Sequence, residues 1–145
     1  MSKRHRTSFI VVHCSATKPS MDVGASEIRE WHKARGFKDI GYHFVIRRSG
    51  TIERGREESE SGAHVEGWNG VSIGICLVGG IDEHGKSEMN FTPAQMNALK
   101  SLLCIMLKKY EGSELRGHRD FKGVMKDCPC FDVRSWYTGI TKGDD

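Results

Sequence analysis

The sequence predicts an α/β domain in which a central mixed β-sheet is flanked by helices. Two short apolar runs rich in β-branched residues, at residues 8–13 and 71–78, are typical of buried strands. A long amphipathic pattern begins at Thr92, behind a strong helix-start signal. Strand and helix patterns alternate along the chain, which favours this fold class.

The first predicted helix follows the strand at residues 8–13. It runs from a cap at Asp22 to about Arg35. Ile28 lies on the same predicted face as Trp31 and Arg35. Gly36 occupies the left-handed position at which many helices end.

A hairpin and a central strand come next. Residues 42–48 and 51–54 form two predicted strands, joined by a tight turn at Ser49-Gly50. Residues 71–78 are apolar almost throughout, which is typical of a strand that is covered on both faces. Gly79-Gly80 ends this strand and opens a polar loop.

The strongest helix signal lies in the second half of the chain. Thr92 is the predicted N-cap, Pro93 takes the first helical position and Gln95 completes a capping box. A strand at 114–118 and a helix at 132–137 complete the predicted elements. The apolar stripe of the long helix comprises Met96, Leu99, Leu103, Met106, Leu107 and Tyr110.

Length and charge limit the domain organisation and the partners. The 145 residues fit one domain, which we divide into a basic arm at 1–8, the domain proper at 9–138 and a tail at 139–145. The net charge of +3 is too small to indicate nucleic-acid binding. We therefore expect no direct nucleic-acid partner. No apolar run is long enough to span a bilayer, so we expect no membrane insertion, and we expect a monomer.

Cysteine usage indicates a reducing compartment. The chain has five cysteines, and an odd number argues against a disulfide framework. The apolar run at residues 9–12 is too short for the core of a signal peptide, which predicts a protein made in the cytoplasm. Cys14, Cys76 and Cys104 are best interpreted as buried apolar residues.

Three side chains with metal-binding chemistry fall at predicted strand ends or in a loop. His13 and His118 each end a strand, and Cys128 precedes a proline in a loop. Two imidazoles and a thiolate can hold Zn²⁺ and leave a fourth position for water. From the residues alone, a buried, hydrogen-bonded histidine remains the commoner interpretation. Cys130 remains an alternative to Cys128 as the sulfur ligand.

Five segments carry recognisable motifs: VHCSAT at 12–17, GYHF at 41–44, SIGICLVGG at 72–80, GHRD at 117–120 and KDCP at 126–129. Together they resemble the zinc-dependent N-acetylmuramoyl-L-alanine amidase family, which contains the peptidoglycan recognition proteins. Within it, the chain is most similar to the lysozymes of T-odd short-tailed bacteriophages. The match follows nearly the whole chain in order.

The resemblance implies an activity and a site. It places His13, His118 and Cys128 on the ligands of one Zn²⁺ per chain, in a cleft at one face of the sheet, and it makes Tyr42 and Lys126 catalytic. The implied reaction is hydrolysis of the amide bond between N-acetylmuramic acid and L-alanine in bacterial peptidoglycan, as in a phage endolysin. The protein would remain in the host cytoplasm until lysis and act on the wall after release.

The loop before the central strand supplies further candidates. By the resemblance it lies beside the zinc cleft, so His64 could contact glycan or peptide and Trp68 could stack on a sugar. An exposed loop histidine is an equally good interpretation of His64. His43, which follows the predicted catalytic tyrosine, could orient a ligand imidazole.

Other functions remain open at this stage. The segment from His118 to Cys128 is longer than in the phage branch and matches cytosolic amidases that recycle anhydro-muropeptides. Some relatives bind peptidoglycan without cutting it, but they typically lack the cysteine ligand. The phage branch also implies a second role as an inhibitor of the phage single-subunit RNA polymerase.

Overall fold

A computed structural model describes residues 2–141, whose strands and helices alternate as the sequence predicts. The predicted tail at 139–145 therefore lies partly outside the described residues. In chain order the elements are β1 (Phe9–Cys14), α1 (Ala25–Ala34), β2 (Phe44–Ile46), β3 (Ile52–Arg54), β4 (Ser72–Leu77), α2 (Pro93–Lys109), β5 (Glu114–Gly117) and α3 (Val133–Thr141).

The strands form one mixed sheet in the order β3-β2-β4-β1-β5. Strand β4 lies in the centre, and its pairings with β1 and β2 are parallel. Strand β5 also runs parallel to β1, whereas β3 pairs antiparallel with β2 through the predicted hairpin. The predicted mixed sheet is confirmed. The four adjacent parallel strands β2, β4, β1 and β5 therefore have their carboxyl ends at one edge of the sheet.

The two faces of the sheet have different cores. Because side chains alternate along a strand, Ile73 and Ile75 of β4 face the helices α2 and α3. Ser72, Gly74 and Cys76 face the opposite side, where Cys76 packs against residues of α1. The same alternation in β1 directs His13 to the side of the sheet that carries α1.

The start of α1 differs from the prediction. The N-cap is Gly24, with no side-chain cap of its own, and Asp22 forms an ion pair with Arg47 instead. The amide of Ala25 donates to Glu53 Oε1 over 2.8 Å, so a carboxylate from β3 stabilises the first turn. This partner is distant in the sequence, which explains why a local capping pattern pointed to the wrong residue.

The packed face of α1 also differs. Ala25, Ile28 and His32 are buried, at spacings of three and four residues, which place side chains on one helix face. Trp31 is 40% exposed and is not among the buried residues of this helix. Gly36 has the left-handed backbone expected after the helix end, with φ of 97°.

Helix α2 begins as predicted. Thr92 Oγ1 accepts a hydrogen bond from the amide of Gln95 over 3.1 Å, and the amide of Thr92 donates to Gln95 Oε1 over 2.9 Å. The same buried glutamine donates through Nε2 to the carbonyls of Ile46 and Val78. One side chain therefore caps α2 and ties it to the ends of β2 and β4.

Described residues of the predicted arm and tail form part of the domain. In the predicted arm, the amides of Arg4 and His5 donate to the carbonyls of Ser59 and Gly70. Helix α3 continues to Thr141, beyond the predicted boundary at residue 138. The arm and tail boundaries themselves stay predictions. Among the described residues, no helix has the length and apolar character needed to cross a membrane.

Candidate metal centre and active-site cleft

Three side chains from the ends of two strands and one loop converge beside the sheet. His13 is the fifth residue of β1, His118 directly follows β5, and Cys128 lies in the loop before α3. Their ligand atoms all lie within 4.8 Å of one another. Tetrahedral zinc holds its ligands at about 2.0–2.3 Å, so a modest inward movement would let the three share an ion.

The parallel register explains why the two imidazoles meet. Val12 pairs with Gly117 in the β1–β5 ladder, so the next residues, His13 and His118, leave the sheet side by side. Their ring centroids lie 4.6 Å apart. The sheet therefore sets the separation of two predicted ligands.

The two rival sulfurs occupy different positions. Cys128 Sγ accepts a hydrogen bond from the amide of Cys14 over 3.1 Å, beside His13. Cys130 Sγ donates to the carbonyl of Gly80 over 3.2 Å and does not belong to the group of three ligands. The geometry therefore favours Cys128, as the sequence analysis did.

Electrostatics keep both imidazoles neutral. Burial, and then the neighbouring His64, His118 and Lys126, hold the pKa of His13 well below its usual value. Burial and Lys126 also lower the pKa of His118. A neutral imidazole has a free lone pair on one nitrogen, which is the form that binds metals.

The two predicted catalytic side chains border the same group. The Tyr42 ring lies 5.1 Å from the His13 ring. Burial, followed by the nearby Cys76, raises the pKa of Tyr42 well above its usual value, so its phenol remains a neutral hydrogen-bond donor. Lys126 is exposed at the cleft wall, close enough to lower the pKa of both histidines.

A large open cleft surrounds these groups. Its volume is about 1130 Å³, which is slightly more than typical sites for small molecules provide. Its lining includes Arg35, Phe37, Glu66 and the segment 122–128. The size and the mixed polar lining suit a substrate with both sugar and peptide parts.

The other histidines predicted near the site have different surroundings. His64 is 9% exposed, and its Nδ1 lies 2.8 Å from His13 Nε2. His43 accepts a hydrogen bond at Nδ1 from the amide of Gly74, and its Nε2 lies 2.8 Å from the carbonyl of Glu60. Backbone groups thus occupy both nitrogens of His43. The prediction that His43 orients a ligand imidazole was wrong, and His64 makes that contact.

Trp68 lies beside the cleft rather than in its lining. Its ring packs edge-on against Phe9, with centroids 5.3 Å apart, and also contacts Phe121. It is absent from the cleft-lining residues within the described part of the chain. The side chain is 43% exposed, and its stacking on a sugar stays a prediction.

Sequence analysis missed Ser72, whose Oγ lies 3.2 Å from His64 Nε2. A signal was present, because Ser72 and Gly74 alternate with apolar Ile73 and Ile75 along a strand that is otherwise apolar. A small polar residue on one face of a buried strand indicates a close neighbour that needs space or a hydrogen bond.

This combination of fold and site is typical of metal-dependent hydrolases, in which a few fixed side chains leave one coordination position open in a cleft. The family model described as N-acetylmuramoyl-L-alanine amidase matches residues 3–131. The chain belongs to this family.

Individual relatives agree with this assignment. The endolysin of Enterobacteria phage T3 is 58% identical over 134 residues, covering 92% of this chain and 87% of that protein. The endolysin of Escherichia phage T7 is 56% identical over 135 residues, covering 93% and 88%. The solved N-acetylmuramoyl-L-alanine amidase LysC from Clostridium intestinale URNW has a TM-score of 0.80 and 32% identity, covering 94% of this chain and 86% of that one.

Drosophila PGRP-LB shares the fold, with a TM-score of 0.75 at 23% identity over 95% of this chain and 83% of that one. The predicted resemblance, the predicted amidase activity and the predicted endolysin function are confirmed by these matches.

Proposed function

We propose that this endolysin cleaves the amide bond between the lactyl group of N-acetylmuramic acid and L-alanine, with one zinc ion held by His13, His118 and Cys128. The observation that carries the proposal is the convergence of these ligand atoms within 4.8 Å on one side of an open cleft.

The donor set fits zinc. Two neutral imidazoles and a thiolate are ligands that zinc prefers, and three protein ligands leave a fourth position for water. When bound, zinc supplies a Lewis acid that lowers the pKa of its water to about 7 and polarises a carbonyl. His13 is 1% exposed, so the protein fixes this ligand firmly before any ion arrives.

Lys126 and Tyr42 would stabilise the charge that develops during the reaction. When water attacks the amide carbonyl, negative charge accumulates on its oxygen, and a donor aimed there lowers the barrier. Lys126 provides a cation at the cleft wall. Tyr42, kept neutral by burial, provides an O–H that can bind the same oxygen or position the attacking water.

The test combines metal analysis with product chemistry. Purified protein should carry about one Zn²⁺ per chain, and digestion of sacculi should create new L-alanine amino termini without new reducing ends. Protein treated with a chelator should be inactive, and added Zn²⁺ should restore activity. New reducing ends would indicate cleavage of the glycan and would reject the proposed bond.

The same assay separates the alternatives. An endolysin should cut intact sacculi, whereas a recycling amidase should cut only soluble anhydro-muropeptides, and a binding module should cut neither. The open cleft supports action on a polymer. The cysteine in the metal-ligand group supports catalysis over binding alone. In this proposal the protein reaches the wall after release from the host cytoplasm.

Two further predictions concern the partners of the protein and its oligomeric state. An inhibitory contact with the phage RNA polymerase is tested by a pull-down and a transcription assay with the cognate polymerase. The monomeric state is tested by sedimentation. No binding at micromolar protein would remove the polymerase from the partners.

A further inference from the structure

His64 lies between a predicted zinc ligand and the central strand, with both ring nitrogens in use. Its Nδ1 is 2.8 Å from His13 Nε2, and its Nε2 is 3.2 Å from Ser72 Oγ. The Ser72 hydroxyl donates to the carbonyl of Trp68 over 2.8 Å. These contacts form a continuous chain from a backbone carbonyl to the metal centre.

The direction of each hydrogen bond follows from the carbonyl end. A carbonyl only accepts, so the single Ser72 proton points to Trp68, and Ser72 Oγ must accept from His64 Nε2–H. A neutral imidazole with its proton on Nε2 has a lone pair on Nδ1. His64 Nδ1 therefore accepts from His13 Nε2–H, which leaves His13 Nδ1 as the atom that can bind a metal.

The surroundings hold the His64 ring in this position. The amides of His64 and Val65 both donate to Asn69 Oδ1 over 2.9 Å, which fixes the backbone of the loop. The ring packs directly on β4, where a Cβ atom added to Gly74 would lie only 2.6 Å from His64 Cγ. A similar addition at Gly62 would approach the ring to 2.6 Å. Rotation of the ring would break its contacts with His13 and Ser72 and its packing against Gly74.

We propose that His64 is a positioning residue that holds His13 in the Nε2–H form, with Nδ1 directed to zinc, and that Ser72 fixes the orientation of His64. This role replaces the predicted substrate contact, because neither nitrogen of His64 is left for substrate. It rests on the proposed function only in taking His13 as a zinc ligand. A ligand imidazole commonly donates its other N–H to such a partner, and loss of the partner weakens metal binding.

The first measurement needs neither metal nor a variant. Long-range ¹H–¹⁵N correlation spectra of metal-free protein should show the His13 proton on Nε2 and the His64 proton on Nε2. A His13 proton on Nδ1 would overturn the inference. This measurement is independent of zinc. If the protein shows the expected tautomers and yet binds no zinc, the proposed zinc centre is wrong, but the hydrogen-bond chain from Trp68 to His13 still holds.

The second measurement compares zinc affinities by competition with a chelator. His64→Gln moves the amide towards Ser72 and leaves His13 Nε2 without an acceptor, so zinc affinity should fall about 10- to 100-fold. His64→Asn places Oδ1 near the position of Nδ1 and should restore most of that loss. Ser72→Ala keeps His64 Nδ1 as an acceptor but no longer fixes which nitrogen of His64 carries the proton. Its loss of zinc affinity should therefore be smaller than that of His64→Gln.

A matched control removes an imidazole elsewhere. His84 is exposed in the loop before α2, and His84→Gln should bind zinc as the parent does. Equal affinities of His64→Gln and the parent would overturn the inference. Equal losses in His64→Asn and His64→Gln would also overturn it, because a packing role does not distinguish the position of the acceptor atom.

Discussion

Individual side chains at the metal centre are defined by neighbours that are distant in the sequence. Motif resemblance predicted His13, His118 and Cys128 as zinc ligands. Composition and spacing alone were also compatible with a purely structural role for each of them. The contact between His64 and His13 could not be predicted, because the sheet and the loop at 62–69 must form before these rings meet. His43 was a reasonable candidate for the same role, but its two nitrogens are used by backbone groups.

The two sulfurs near the centre provide a sharp test at this scale. Cys128→Ser should lose zinc and activity, because a serine hydroxyl is a much poorer ligand for zinc than a thiolate. Cys130→Ser should retain both, since Cys130 Sγ faces the carbonyl of Gly80. Zinc content and sacculus digestion measure the two variants side by side. The reverse pattern would assign the ligand to Cys130.

Lys126 offers a test of catalysis that is separate from metal binding. Lys126→Ala should retain zinc and lose turnover by about 10²–10³, the usual cost of one donor to a developing oxyanion. Lys122→Ala is a matched control, because Lys122 lines the same cleft without a predicted role. Unchanged turnover in Lys126→Ala would exclude the oxyanion role.

The ends of secondary-structure elements were predictable where neighbouring residues determine them, and were not predictable where residues distant in the sequence determine them. The capping box of α2 is written in four consecutive residues, 92–95, and formed as predicted. The start of α1 depends on Glu53 of β3, which no local pattern contains. The strands β2 and β3 are each shorter than predicted, at three residues, because the antiparallel ladder pairs only Phe44–Ile46 with Ile52–Arg54.

The cap of α1 gives a prediction for stability. Glu53→Ala should reduce the free energy of unfolding by about 1 kcal/mol, the typical contribution of a helix cap. Asp22→Ala should change it by less than about 0.5 kcal/mol, because Asp22 is exposed and holds only a surface ion pair. Urea denaturation of both variants measures the difference. A larger loss in Asp22→Ala would restore the original capping prediction.

The whole molecule concentrates its histidines in the interior near the site. Burial is the largest cause that lowers the pKa of each of five histidines: His13, His32, His43, His64 and His118. The pKa of His43 falls to about 4. The folded state therefore keeps imidazoles neutral at pH values at which the unfolded chain takes up protons.

This difference sets the pH dependence of stability. The unfolded chain binds more protons below its histidine pKa near 6.5, so stability is complete above that pH and is lost as the pH falls towards 4. His43 alone should account for about 3 kcal/mol of the loss. Denaturant unfolding of metal-free protein at pH 7 and pH 4.5 measures it, and equal stability at both would contradict the neutral state of these rings.

The split origin of the three ligands has a consequence for the unliganded protein. The sheet fixes His13 and His118, but Cys128 lies in an irregular loop. At Cys128 the loop is held by a backbone hydrogen bond, in which the Arg119 amide donates to the Cys128 carbonyl. An ion bridging all three would thus fasten that loop, and the start of α3 behind it, to the rigid sheet. Removing zinc should speed amide hydrogen exchange at residues 119–131 while leaving β1 and β4 protected. The metal would then cross-link one wall of the cleft to the sheet, in addition to its part in the reaction.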